Sequence, residues 1–165
     1  IFHTFGGTGV EVDALTGEVE IVKAAQAFDV GKAINPLLVK GQISGGFIMG
    51  QSVALYEEII FDEQGWVLNP NLSNYRILRA KEIPHEMDEI IVETPQSDAP
   101  HGARGLGELG MVAVASAIAN AVYHAIGVQI TRLPMSPEKV WGAVLEQRPD
   151  LIEEAKHKLK QGGGK

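Results

Sequence analysis

The sequence predicts an α+β fold of mixed hairpins and buried helices, and three observations carry that prediction. Two runs rich in β-branched residues flank the turn Thr16-Gly17, which is a hairpin signal. Asn35-Pro36 and Ser136-Pro137 are two helix starts, each with a capping residue followed by proline at the first helical position. The third is an apolar segment, Gly110–Ile126, long enough for a buried helix. Strands and helices follow one another without a regular β-α-β alternation, so the class is α+β rather than α/β.

The elements follow in order. Thr8–Asp13 and Glu18–Lys23 read as paired strands, and Ala24–Val30 extends the second. From Asn35 a helix should run to Leu55. Gly41, Gly45, Gly46 and Gly50 lie inside it, and each glycine costs a helix interior about 1 kcal/mol relative to alanine. Gly41/Gly45 and Gly46/Gly50 are each four apart, so each pair opens a flat patch where another backbone or a ligand can approach. Glu57–Asp62 and Trp66–Leu68 read as a second hairpin, and Glu89–Thr94 as a strand. Pro95–Gly107 is a loop. Within Gly110–Ile126 the polar residues Ser116, Asn120 and His124 form one narrow stripe, and Gly127 is the stop. Val128–Thr131 reads as a short strand. Residues 149–165 form a charged, exposed terminal helix with a flexible glycine tail (Gly162 to Gly164), set off from the unit 1–148.

Composition narrows the function. The chain has 165 residues and no cysteine, which excludes disulfides, Fe–S clusters, thiolate zinc sites and a cysteine nucleophile within it. With 14 basic against 21 acidic residues, the net charge of −7 argues against nucleic-acid binding. The five histidines show no metal-ligand spacing, and no metal site is expected. The uncharged run 41–56 is too short to span a bilayer, so no membrane association is expected. No signal peptide is visible at the N-terminus, and a cytoplasmic location is the expectation.

The 19 glycines are an excess over ordinary composition, and most fall in clusters. The richest in chemistry is Gly102-Ala103-Arg104-Gly105-Leu106-Gly107-Glu108, just before the apolar helix. Glycines let a ligand approach the backbone, and Glu108 is placed either to complement a helix dipole or to act as a general base. Arg104 is either a ligand for an anion or half of a loop-anchoring ion pair. The spacing meets neither the dinucleotide nor the P-loop fingerprint.

Four stretches in register identify a resemblance: Asp29-Val30-Gly31 with Ala33-Ile34-Asn35-Pro36; Gly41-Gln42-Ile43-Ser44-Gly45-Gly46; Gly102 to Glu108; and Ala117-Ile118-Ala119-Asn120-Ala121 running to Leu133-Pro134-Met135-Ser136-Pro137-Glu138-Lys139-Val140. Together they resemble the C-terminal part of the molybdenum-cofactor subunit of the xanthine dehydrogenase/aldehyde oxidase family. The resemblance implies part of a molybdenum-cofactor-binding domain, in a hydroxylase that oxidises a heterocycle or aldehyde carbon with water-derived oxygen. It implies Glu108 as the catalytic base toward a metal-bound hydroxide. Gln42 is expected at the pterin end of the cofactor, with Gly41, Gly45, Gly105, Gly107 and Arg104 around it. The remaining part of the molybdenum subunit, Fe–S and FAD modules on partner domains or subunits, and a small-molecule substrate are implied as partners. The chain alone is expected to be inactive. A non-catalytic scaffold of the same fold is the alternative.

Overall fold

The computed structural model describes residues 4–162. His3 and the end of the glycine tail, Gly163 and Gly164, lie outside the described residues.

Strand β1 (Thr4–Val12) and strand β2 (Val19–Asp29) form the predicted hairpin, antiparallel with a bulge at Gly9/Val10. Asp13 closes the turn by accepting from the Leu15 N–H at 2.8 Å. Strand β1 starts earlier than the sequence suggests, running through Gly6 and Gly7, while β2 reaches Asp29 as the expected extension through 24–30 requires. Along β2, Ala24, Gln26 and Phe28 point alternately inward and are buried, which is the period-2 signature of a half-buried strand. Strand β3 (Glu86–Val92) adds to β2 in parallel, giving the order β1-β2-β3. Helix α1 (Pro36–Leu55) lies between them in sequence, so the fold contains one β-α-β crossover within an otherwise irregular order of strands and helices.

Helix α1 starts as predicted, with Asn35 Oδ1 accepting from the Leu38 N–H at 3.2 Å. Its inward face carries Val39, Ile43, Phe47 and Ala54. The apolar stretch 110–126 is not one helix. It divides at Ala113 into a single turn, α2 (Leu109–Val112), and α3 (Val114–Ile126). Nor is it buried all round: Val114, Ile118, Val122 and Ile126 form one buried stripe, while Val112 and Tyr123 are exposed. By length and composition Leu109–Ile126 would suffice to cross a membrane. Here its buried stripe belongs to the main core, with Ile21, Ala24 and Phe47. Helices α4 (Pro137–Gln147) and α5 (Pro149–Gly162) close that core through Val140, Val144 and Ile152.

Two expected pairings are reduced or missing among the described residues. The hairpin around residues 57–68 shrinks to the bridge Phe61–Val67, with the Asp62 N–H donating to the Trp66 carbonyl at 2.9 Å and the Leu68 N–H to the Ile60 carbonyl at 2.8 Å, while the Asn69 side chain takes the Ile60 N–H and the Glu58 carbonyl. Val128–Thr131 pairs with no strand. The Gln147 side chain serves instead, its Oε1 accepting from Gln129 N–H at 3.0 Å and its Nε2 donating to the Gln129 carbonyl at 3.1 Å.

Candidate functional site

A second, smaller core lies beneath the first half of α1. It holds Phe28, Val30, Ala33, Val39 and Ile43, with Ile91, Leu106 and Leu109 packed against it. The last two explain the loop before α2. Leu106 and Leu109 turn inward as anchors, while Gly105, Gly107 and Glu108 face solvent. The apolar residues hold the loop down, and that holds the carboxylate out.

The base of the loop is fastened to the end of β2. The Arg104 N–H donates to the Val30 carbonyl at 2.9 Å, and the Lys32 N–H to the Gly102 carbonyl at 2.8 Å. A Cβ on Gly31 (φ 63°) would stand 2.3 Å from the Gly102 oxygen, so only glycine permits this approach. Asp29 adds the polar clasp: its Oδ1 accepts from the Gly31 and Thr94 N–H groups at 3.1 Å each, and its Oδ2 faces Arg104 Nη1 at 3.5 Å. Burial pushes the Asp29 carboxyl up, but the Gly31 and Thr94 N–H groups and the Arg104 charge outweigh it and hold it below the ordinary aspartate value. Nearby, the Ala33 N–H and then Lys32 hold the Glu93 carboxyl low. Arg104 thus makes the loop-anchoring ion pair, one of the two roles open to it.

Glu108 is exposed and stands at the N-cap of α2, yet its side chain makes no capping bond. Two residues later, Gly110 packs directly on α1. A Cβ on Gly46 would lie 2.5 Å from the Gly110 Cα, and one on Gly110 would lie 3.1 Å from the Gln42 carbonyl oxygen. Gln26, which is 1% exposed, locks this junction by donating from Nε2 to the Gly110 carbonyl at 2.8 Å. The turn of α1 carrying Gln42 is thereby set against the chain that has just left Glu108. Gln42 itself is exposed.

The four α1 glycines divide by function. Gly46 and Gly50 meet α2 and α3. Gly41 and Gly45 are exposed, with nothing within 4 Å of an added Cβ, and the same holds for Gly105 and Gly107. These four open positions flank Gln42 and Glu108 in sequence. A broad planar ligand with polar edges fits such a surface, because its face can approach bare backbone while one amide and one carboxylate reach its rim. Among the described residues no cluster of His, Asp and Glu could hold a metal ion through the protein alone.

Sequence reasoning missed Asp29, Gln26 and the two leucine anchors. Signals were present: a lone glutamine on the inward face of β2, and leucines in an otherwise polar, glycine-rich loop.

Comparison with known proteins agrees with this geometry. The model of the molybdopterin cofactor-binding domain matches residues 3–84. The chain is 38% identical over 135 residues to the 6-hydroxypseudooxynicotine dehydrogenase complex subunit gamma of Paenarthrobacter nicotinovorans, covering 80% of this chain and 17% of that protein. It is 39% identical over 140 residues to a putative xanthine dehydrogenase molybdenum-binding subunit of Escherichia coli, covering 83% and 18%. Among solved structures it superposes on quinoline 2-oxidoreductase from Pseudomonas putida with a TM-score of 0.78 and 31% identity, covering 83% of this chain and 18% of that one. It superposes on the aldehyde oxidoreductase from Desulfovibrio desulfuricans with a TM-score of 0.76 and 36% identity, covering 85% and 15%. The chain thus spans less than a fifth of the length of these relatives. On these matches and on its fold, the chain belongs to the molybdopterin cofactor-binding domain family, of the xanthine dehydrogenase and aldehyde oxidoreductase type.

Proposed function

We propose that this chain forms one wall of the cofactor and substrate site of a molybdenum hydroxylase, with Glu108 as the catalytic base. The observation that carries the reading is the placement of Glu108: an exposed carboxylate flanked by two half-buried leucine anchors, with no capping bond, beside the Gln42 turn of α1. When bound, the molybdenum cofactor supplies the oxygen-transfer centre and the two-electron sink. The residues of this chain do the rest. Gln42 offers one donor and one acceptor edge to the pterin end of the cofactor. Gly41, Gly45, Gly105 and Gly107 let its face lie close to the backbone. Glu108 accepts the proton given up by the water-derived oxygen as that oxygen attacks an electron-poor carbon. Arg104 holds the loop through Asp29. The substrate is a heterocycle or aldehyde, and electrons leave through Fe–S and FAD modules on partner domains or subunits. The completing part of the molybdenum subunit supplies the opposite wall, so this chain is inactive alone.

The test is to produce the chain together with the completing polypeptide and measure molybdenum content, pterin content and reduction of an electron acceptor. Glu108→Gln should keep the cofactor and lose about 10²- to 10⁴-fold in kcat, the usual share of a general base. Full turnover by this variant removes Glu108 from the chemistry. An assembled complex without molybdenum or pterin favours a non-catalytic scaffold.

A further inference from the structure

The C-terminal end of α1 bears a feature that the cofactor reading does not use. Gln51, Leu55 and Tyr56 wall a cavity of about 600 Å³, closed on its other sides by the tip of the β1–β2 hairpin and by the segment 76–83. Two independent observations show what it lacks.

The first is an acceptor without a donor. Gln51 is 1% exposed; its Nε2 donates to the Glu82 carbonyl at 2.8 Å, and its Oε1 meets no donor among the described residues. Buried amide oxygens are almost always bonded, so this one calls for an N–H or O–H from outside. The second is uncompensated charge. Glu11, Glu18 and Glu20 line the same cavity. Among the described residues Glu11 and Glu18 have no basic partner, and Glu20 faces only His85, at 3.7 Å. The one guanidinium here is already committed: Arg76 lies 4.1 Å above the Tyr56 ring and pairs with Glu82. Lys81 is the only other cation in the lining. The Tyr56 hydroxyl is held above the ordinary tyrosine value, first by burial and then by Glu82, with Arg76 opposing and Glu18 and Glu20 adding to the rise.

We propose that this cavity receives an arginine or lysine side chain from the polypeptide that completes the subunit, its N–H groups meeting Gln51 Oε1 and its charge meeting Glu11, Glu18 and Glu20. The chemistry follows from the two deficits, because only a cationic N–H donor satisfies both. The source follows from length: the chain spans 17% and 18% of two of its relatives, leaving most of such a subunit to cover its surface. The proposal rests on the reading that the chain works inside a larger molybdenum subunit. It marks a docking point on α1 at the far end from Gln42.

The experiment measures the dissociation constant between this chain and the completing polypeptide, as a function of salt, in the co-produced complex. Two variants are compared with the wild type: Glu18→Lys with Glu20→Lys, and Glu18→Gln with Glu20→Gln. Both side chains are exposed, so the variant chains should fold, as circular dichroism will verify. The charge reversal should weaken assembly at least tenfold at low salt and flatten its salt dependence. The neutral pair should fall between. Free arginine or spermidine at millimolar concentration should loosen the wild-type complex and leave the reversed one unaffected. Assembly within twofold of wild type in both variants overturns the docking site while leaving the subunit reading intact. The same insensitivity together with saturable binding of free arginine overturns it in favour of a small-molecule cation site. Failure of the wild-type pieces to assemble at all overturns the subunit reading and the docking proposal together.

Discussion

Asp29 controls the position of Glu108 without touching it. Its carboxylate collects the Gly31 and Thr94 N–H groups and faces Arg104, three groups at the base of the loop that leads to Glu108. Because its folded-state pKa lies below the unfolded value of about 3.9, its contribution to stability is complete above that value and is lost as pH falls through the lower, folded one. The thermal midpoint of the wild type should therefore decline, as pH falls below about 4, more steeply than that of Asp29→Asn, which has no charge to lose. At neutral pH the same variant should raise amide exchange several-fold at Thr94 and Arg104 and leave α4 unchanged, since the clasp and α4 share no residues. Equal exchange at these amides in variant and wild type would show that the leucine anchors suffice. The sequence showed Arg104 and its two possible roles. It could not choose between them, because the partner sits 75 residues away on another strand and only the fold brings it within reach.

At the scale of the element, α1 separates two kinds of glycine that look alike in the sequence. Gly46 meets the backbone of α2, so a larger residue there must push two helices apart. Gly46→Val should lower the urea midpoint by the equivalent of about 1–3 kcal/mol, the usual range for overpacking. Gly41→Ala and Gly45→Ala meet nothing and should each stabilise the chain by up to about 1 kcal/mol through helix propensity. If the cofactor lies against this face, the same two substitutions lower the molybdenum content of the assembled complex even as they raise the urea midpoint. A rise in stability with full molybdenum content would place the cofactor elsewhere. The pairs at spacing four were legible as flat patches, and so were the helix starts at Asn35-Pro36 and Ser136-Pro137. What each patch faces was not legible, since that depends on Gly110, far along the chain. The shortened hairpin at 57–68 and the unpaired segment 128–131 fall short of strands for a related reason. Strand formation needs a neighbour, and at Val128–Thr131 the neighbour is a glutamine side chain on α4 that no local pattern announces.

Across the whole molecule, apolar surface is distributed as in a part rather than a finished protein. At 45% hydrophobic residues the composition is ordinary, and nothing in it foretells the outcome. In the fold, Phe61, Trp66 and Leu72 are exposed at 58%, 75% and 74% within one short segment, and Leu37 and Leu38 at 78% and 66% at the start of α1. Monomeric proteins seldom leave so many large apolar side chains in water so close together in sequence, and such surfaces mark interfaces. The chain alone should therefore bind apolar dyes and self-associate with rising concentration, and the completing polypeptide should suppress both. Trp66 provides a direct reading. Its indole emits as a water-exposed group in the isolated chain, and burial on assembly should shift that emission to the blue. Trp141, at 42% exposure on α4, is the other indole, so Trp66→Phe isolates its share. The shift should vanish in Trp66→Phe and persist in Trp141→Phe. Assembly that leaves the emission of Trp66 unchanged would mean that the segment around it faces solvent in the complete enzyme as well, and its exposed apolar residues would then need a different partner.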